Sequence, residues 1–411
     1  MKNKLSLLLI ALVYLGFVSI GFPDGLQGVA WPSMRRSFGL PLDALGGLLV
    51  MYTAGYLISS FTSGRMLARM SVGMLLSLSC LATGVSLLGY AAAGRWWMVM
   101  ALGTLAGIGA GAIDAGLNTY AATHFSARMV NWLHAFYGVG ALSGPLLMTT
   151  VLNAGQPWQL GYAIVGAGQL ALAVCFGLTQ RRWNDDHQVE SAPIVSGPSA
   201  LSNADAPASL FSTLRLPVTW FSVAVFFIYC GVEAGAGAWA YSLLTESRGV
   251  SATIAGIWVS IYWGGLTAGR IVSAMIAGRG RMRTLLRVCM AGQAAGAALL
   301  WINFTPLFSF LGLTLIGLAS APIFPSLIAT TPERLNKKHV ANAVGFQIAA
   351  AVLGLSVLPA LIGFFARRFG LEVIPPAVLI AALLLILFFE GLFFIHLKKP
   401  PAQESSAFGT G

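Results

Sequence analysis

Polar and charged positions along this chain are sparse and grouped. The apolar runs between them are long enough to cross a bilayer, which takes about 20 helical residues. Twelve such runs are predicted, at about 5–31, 44–68, 72–93, 96–123, 130–153, 159–180, 215–243, 251–276, 284–303, 306–331, 339–366 and 373–397. Short loops join most neighbours. The exception is 181–214, which opens Arg181-Arg-Trp-Asn-Asp-Asp-His187 and continues rich in Ser, Pro, Ala and Asp, as a polar linker does. The pattern divides the chain into a six-helix bundle at 1–180, the linker at 181–214, a second six-helix bundle at 215–397 and a tail at 398–411. The predicted fold class is all-α membrane protein, with twelve transmembrane helices in two parallel six-helix pseudo-repeats. Short alternating segments of the kind that build a membrane β-barrel are not seen.

Composition agrees with that pattern. Of 411 residues, 57% are hydrophobic and 9% charged, where a soluble domain carries about 25% charged. A net charge of +11 could point to nucleic acid. Here basic loops on one side of a membrane account for it, and no nucleic-acid partner is expected. Lys2, Lys4, Arg65, Arg69, Arg128, Arg181, Arg182, Arg215, Arg279, Arg281, Arg283, Arg287, Arg334, Lys337, Lys338, Lys398 and Lys399 fall on one side. Only Arg35, Arg36, Arg95, Arg248, Arg367 and Arg368 fall on the other. That imbalance places both termini and the linker in the cytoplasm of a multi-pass, bacterial-type inner-membrane protein. The N-terminal apolar run lacks a small-residue cleavage site and is read as the first span. Cys80, Cys175, Cys230 and Cys289 are scattered, so neither a disulfide framework nor a metal site is indicated.

The halves echo each other at an offset near 210. Tyr52 matches Tyr262, Gly55 matches Gly265, Arg69 matches Arg279, Gly107 matches Gly317 and His124 matches Arg334. Asn131 falls beside Asn342, and Asp24 beside Glu233. A steady offset over several spans indicates an internal duplication.

The fourth span holds the densest signal, Gly103 through Tyr120. Gly103, Gly107 and Gly111 repeat every four residues, and small residues at that spacing let another helix approach closely. Asp114 and Asn118 are also four apart and share a face. A charge at mid-bilayer costs at least about 2.5–3.5 kcal/mol, so such residues usually face water or a partner. The predicted helix is tightly packed on one side and lines a polar cavity on the other. The competing reading makes Asp114 a packing element held by a neighbouring helix.

Of the 13 acids, Asp24, Asp114, Glu233 and Glu390 lie within apolar spans. Asp24 follows Gly21-Phe-Pro, so its helix is expected to be distorted there. Glu233 sits in a glycine-rich stretch ending at Trp239. Burial disfavours the charged form of a carboxylate, which lets it take and release a proton. Asp24, Asp114 and Glu233 are therefore candidates for proton coupling, against a structural reading in which Arg or His neutralises them. Glu390, close to Lys398 and Lys399, reads as structural.

Gln27, Asn118, Trp239, Tyr262, Trp263, Asn342 and Gln347 are candidates for substrate contact. Sugars are held by aromatic faces and by amides and carboxylates on their hydroxyls. Trp31 and Trp239 read equally as interfacial aromatics. For His134, a proton relay and a bond to a neighbouring helix stay open together. Arg270, within the eighth span, either pairs with a buried acid or snorkels toward the interface. Phosphate-loop, zinc-ligand and catalytic-triad patterns are absent from any credible context. No enzyme activity, cofactor or metal is expected, and a gradient must supply the energy.

Twelve spans, a central linker and the repeat together resemble the major facilitator superfamily. That family's loop between spans two and three carries a Gly-x-x-x-Asp-x-x-Gly-Arg-Arg/Lys signature. Its counterpart here is Gly64 through Gly73, with Ala68 in place of the acid. The second-half version runs from Gly269-Arg270 to Arg281. Asp114-Ala-Gly-Leu-Asn118, followed by Asn131-Trp-Leu-His134-Ala-Phe-Tyr-Gly138, resembles the fucose–proton symporter branch and its hexose-transporting relatives. The resemblance implies proton-coupled uptake of a monosaccharide by alternating access, with Asp114 in the coupling or binding role. The partners expected are a small-molecule substrate, sugar first, together with H⁺ (Na⁺ as the alternative ion) and the lipid bilayer, and the chain is read as a monomer. A proton-driven exporter of drugs or other metabolites is the alternative. It is weakened because Gly140-Ala-Leu-Ser-Gly144-Pro145 supplies only half of the exporters' fifth-span pattern. A non-transporting receptor or scaffold is a third reading, and mid-span acids argue against it.

Overall fold

The computed structural model describes residues 7–183, 208–276 and 282–397. These residues are almost entirely helical. A backbone inside lipid must satisfy its own polar groups, and an apolar run can do that only as a helix. The helices are α1 (Leu7–Ser37), α2 (Ala44–Leu67), α3 (Val72–Ala92), α4 (Trp96–His124), α5 (Ala127–Asn153) and α6 (Trp158–Thr179) in the first half. In the second half they are α7 (Leu210–Leu214), α8 (Pro217–Ser242), α9 (Ala252–Ile276), α10 (Met282–Ile302), α11 (Pro306–Ser320), α12 (Ile323–Ala329), α13 (Thr331–Arg334), α14 (Lys337–Phe369) and α15 (Ile374–Leu397). Sequence sets several starts. Ser71 and Ser126 accept hydrogen bonds from the backbone of Met74 and Met129, and Pro217 and Pro306 occupy first turns that need no N–H. Eleven helices among the described residues are long and apolar enough to cross a membrane. By position, the 25-residue α9, which contains Arg270, is the twelfth.

Two expectations about helix continuity change. The first span does not end near Trp31. α1 runs through Pro23 and Pro32 to Ser37 as one helix, with no break around Asp24. The interruption falls instead in the tenth span, where α11 stops at Ser320 and α12 begins after Pro322. Pro322 cannot donate to a continuing helix. Much of the linker, together with Arg279, Arg281, Lys398 and Lys399, lies outside the described residues, as does the side chain of Asn131.

The duplication is visible in the packing. In the first half α1 packs on α5, α2 on α4, and α3 on both α4 and α6; in the second α8 packs on α14, α9 on α11, and α10 on both α11 and α15. The matched glycines do matched work. A Cβ at Gly107 would collide with the carbonyl oxygen of Tyr52, and one at Gly317 with that of Tyr262. The four-residue glycine stripe of α4 lies along α2, Gly103 over Leu48, Gly107 over Tyr52 and Gly111 over Tyr56. The predicted close-packed face is that one.

The halves meet mainly where α5 runs antiparallel to α9, α2 against α14, and α1 against α8. Ion pairs join them at the end away from the linker: Arg35 with Glu246 at 2.9 Å and Arg367 with Asp43 at 3.2 Å. Along the α5–α9 seam, Asn153 donates to Thr253 (2.8 Å). Thr149 then meets Gly256, Leu142 meets Gly264, and Thr267 meets Gly138. The guanidinium of Arg270 lies 5.9 Å from the centre of the Tyr137 ring. His134, one turn nearer the linker end, is exposed. The seam is thus closed from the far end down to Tyr137 and Arg270.

Candidate functional site

Four charged side chains lie inside the long apolar helices, Asp24, Asp114, Glu233 and Arg270, and a tyrosine stands beside each carboxylate. Asp24 on α1 is half-buried, and its Oδ2 accepts a 2.5 Å hydrogen bond from the Tyr137 hydroxyl of α5. Asp114 on α4 accepts from Tyr56 of α2 at 2.6 Å and from the Asn118 amide at 2.9 Å. The sequence placed Asp114 and Asn118 on one face, and they bond to each other there. Glu233 on α8 is buried and accepts from Tyr229, one turn earlier on the same helix. Its Oε1 lies 3.6 Å from Arg270 of α9, so Arg270 takes the first of its two expected roles and pairs with an acid.

The tyrosines tie these groups into one region. Tyr52 is within electrostatic range of both Asp24 and Asp114. Tyr137 touches Asp24 on one side and Arg270 on the other. Asp24 and Glu233 also lie within electrostatic range of each other across the two halves. Deeper in the second half, the Tyr229 hydroxyl also lies 3.0 Å from the Ser320 carbonyl oxygen, and Gln293 donates to the Ser320 hydroxyl at 2.6 Å. Tyr262 donates to the backbone carbonyl of Glu233 at 2.7 Å. Tyr56, Tyr137 and Tyr229 were not among the residues read from sequence. Tyr229 had a local signal, its i, i+4 spacing to Glu233. The other two reach their acids across a helix interface.

Among the predicted substrate contacts, Gln27 is half-buried three residues after Asp24, so it shares that face of α1. Trp263 is buried against Gly237 of α8, and its indole N–H has no partner among the described residues. Gly237 in turn faces Gly28 of α1, which puts Trp263 near the crossing of the two halves. Tyr262 is buried and tied to Glu233 as above. Three others have protein partners away from this region. Trp239 is fully buried and donates to the Pro359 carbonyl at 2.9 Å. Asn342 donates to Ala208 at 2.7 Å and Thr213 at 3.3 Å, pinning the end of the linker to α14. Gln347 is fully buried and accepts from Thr331 at 3.1 Å. Trp31 is buried with its indole on the Leu42 carbonyl at 3.1 Å, an interior position and not an interfacial belt. His134 meets the edge of Phe17 at 5.8 Å. Glu390 pairs with Arg283 and Arg287 of α10 at 3.1 and 2.5 Å, which is the structural role expected of it.

Comparison with known proteins bears on what such an arrangement belongs to. The chain matches the family model of the Major Facilitator Superfamily over residues 13–334 and 221–410. The glucose/mannose transporter GlcP of Bacillus subtilis is 23% identical over 354 residues, 85% of this chain and 86% of that protein. The sodium-dependent glucose transporter 1 of Danio rerio is 23% identical over 392 residues, 85% of this chain and 62% of that one. Human major facilitator superfamily domain-containing protein 4A is 29% identical over 189 residues, 44% of this chain and 36% of its own length. Among solved structures, an inward-facing, occupied bacterial homolog of the human lysosomal transporter Spinster superposes with a TM-score of 0.71 at 13% identity, covering 96% of this chain and 98% of that one. The transporter FucP in the outward conformation gives 0.60 at 16% identity, covering 94% and 98%. By family match, helix count and fold, the chain belongs to the Major Facilitator Superfamily and is a multi-pass membrane transporter.

Proposed function

We propose that this transporter is a proton-coupled symporter of a monosaccharide, working by alternating access. One observation carries the reading. Carboxylates on three long apolar helices, α1, α4 and α8, are each hydrogen-bonded to a tyrosine, and Arg270 pairs with the one on α8. A carboxylate beside a phenol keeps a good partner in either protonation state, because the phenol can donate to the anion and accept from the acid. Asp24, Asp114 and Glu233 can therefore load and release a proton without leaving a buried polar atom unpaired.

The sugar assignment rests on groups with capacity to spare. The Trp263 N–H, the Gln27 amide and the second oxygen of Asp24 supply a donor, a group of both kinds and an acceptor near the crossing of the halves. That is the polar complement of a sugar diol. The glucose and mannose named for the Bacillus relative fit this class. Na⁺ is a second reading for the ion, favoured by the sodium dependence named for the zebrafish relative. In this account the bundles 1–180 and 215–397 rock about this site, with the linker and both termini cytoplasmic.

Thermal melting of the purified protein against sugars, organic acids and amphipathic drugs tests the substrate class. A ligand at 100 times its Kd stabilises the folded state by about 2.7 kcal/mol. Hexoses should raise the melting temperature and drugs should not. Stabilisation by drugs alone would overturn the sugar assignment.

A further inference from the structure

Arg270 belongs to the second half, where it pairs with a carboxylate, and it also faces the tyrosine that holds a carboxylate of the first half. On its own side it pairs with Glu233 of α8 at 3.6 Å, with the Tyr229 hydroxyl also in reach. Across the seam it lies 5.9 Å over the ring of Tyr137, whose hydroxyl holds Asp24 at 2.5 Å. His134 of α5 is within electrostatic range as well. The position along the seam matters as much as the charges. From the far end, α5 and α9 are zipped at 153/253, 149/256, 142/264 and 138/267. Arg270 and Tyr137 follow at the fork, beyond which His134 is exposed.

With Asp24 and Glu233 both ionised, the group carries one more negative charge than Arg270 can neutralise. In a water-poor setting the deficit is met most cheaply by one proton. Which acid carries that proton decides where Arg270 pairs. Paired with Glu233, as here, it makes an ion pair within one half and leaves the linker side of the fork free. Paired with Asp24, it would bridge the halves at the fork and draw the linker end shut.

We propose that Arg270 is a counter-ion exchanged between Glu233 and Asp24, so that a proton on Glu233 favours closure of the linker end and loss of that proton favours the arrangement seen here. The proposal deepens the symport reading and rests on it for its physiological use. A sugar whose hydroxyls claim Asp24 sends Arg270 back to Glu233, and the proton leaves toward the opened side. Proton and sugar movements are then coupled through one guanidinium. Arg270 touches no transported atom in this scheme and acts as a positioning residue.

The test needs no substrate. In a cysteine-free background, Gly94→Cys in the α3–α4 connection and Phe304→Cys in the α10–α11 connection carry spin labels. Both sites are exposed at the far end, one on each half. Label–label distances are measured in nanodiscs at mildly acidic and mildly alkaline pH. Glu233→Gln should give the longer, far-end-open distance at both, and Asp24→Asn the shorter distance at both. Arg270→Gln should abolish the pH response that the parent protein shows, and Arg270→Lys should retain it. Opposite displacement by two acid-to-amide changes is not produced by a merely structural salt bridge. Displacement of both acid variants in the same direction, or an unaltered pH response in Arg270→Gln, would overturn the proposal. Should Arg270→Gln fail to fold, the two acid variants decide. The same samples assayed for D-glucose uptake separate the two readings. Opposite displacement without glucose uptake leaves the exchange standing and removes the sugar, whereas proton-driven uptake with no displacement does the reverse.

Discussion

Adding a single methyl group at Gly107 tests how the packed face and the polar face of α4 depend on each other. The Cβ of Gly107→Ala lands far inside van der Waals contact distance of the Tyr52 carbonyl oxygen, with the Tyr56 amide nitrogen also crowded at 2.9 Å. Both are backbone atoms, so no side chain can swing aside and α2 itself must move. Overpacking of this kind costs about 1–3 kcal/mol. The same movement carries Tyr56 away from Asp114, whose 2.6 Å bond has little slack. Gly168 on α6 is the control, because nothing lies within 4 Å of a Cβ there. Gly168→Ala should gain roughly 0.5–1 kcal/mol from the unfolded chain's lost freedom. Melting of the purified variants, followed by a thiol-reactive dye, should therefore place Gly107→Ala below and Gly168→Ala at or above the parent protein. Gradient-driven uptake should fall in Gly107→Ala more than its melting does. Gly317→Ala, the repeat counterpart over Tyr262, should behave like Gly107→Ala. Parent-like melting and uptake in Gly107→Ala would refute the reasoning.

Other outcomes follow from single side chains. Asp114→Asn keeps an oxygen for Tyr56 to bond, so it should express and melt normally while losing gradient-driven accumulation; uptake assays with D-glucose check this. Trp239→Phe loses the bond to Pro359 and should cost about 0.5–1.5 kcal/mol in melting with the KM unchanged. Trp263→Phe loses an N–H that has no partner among the described residues, so its melting should hold while the KM for the sugar rises. Glu390→Gln removes the carboxylate that pairs with the half-buried Arg283 and the exposed Arg287; melting should change little, and less still at high salt.

The sequence carried most of the scaffold because lipid leaves few alternatives: an apolar run of adequate length has to be a helix. Two linkages were likewise local. The glycine stripe at 103, 107 and 111 announced a close neighbour, and the spacing of Asp114 and Asn118 announced a shared face. The continuity of α1 through Pro23 and Pro32 was not legible, since neighbouring helices rather than local sequence decide whether a proline breaks a buried helix. The phenols were missed for a related reason. Tyr137 reaches Asp24 from 113 positions away, and Tyr56 reaches Asp114 from 58. Only helix packing creates those pairs. Trp239 had the composition of a sugar platform, and the structure places its indole on a backbone carbonyl instead.

Gradient-driven uptake in reconstituted vesicles tests the central claim most directly. An inward proton gradient without sodium should drive D-glucose to accumulate, and a protonophore should collapse the accumulation. Accumulation that requires sodium and ignores the protonophore would contradict proton coupling, and expulsion of the substrate by the same gradient would make the protein an exporter.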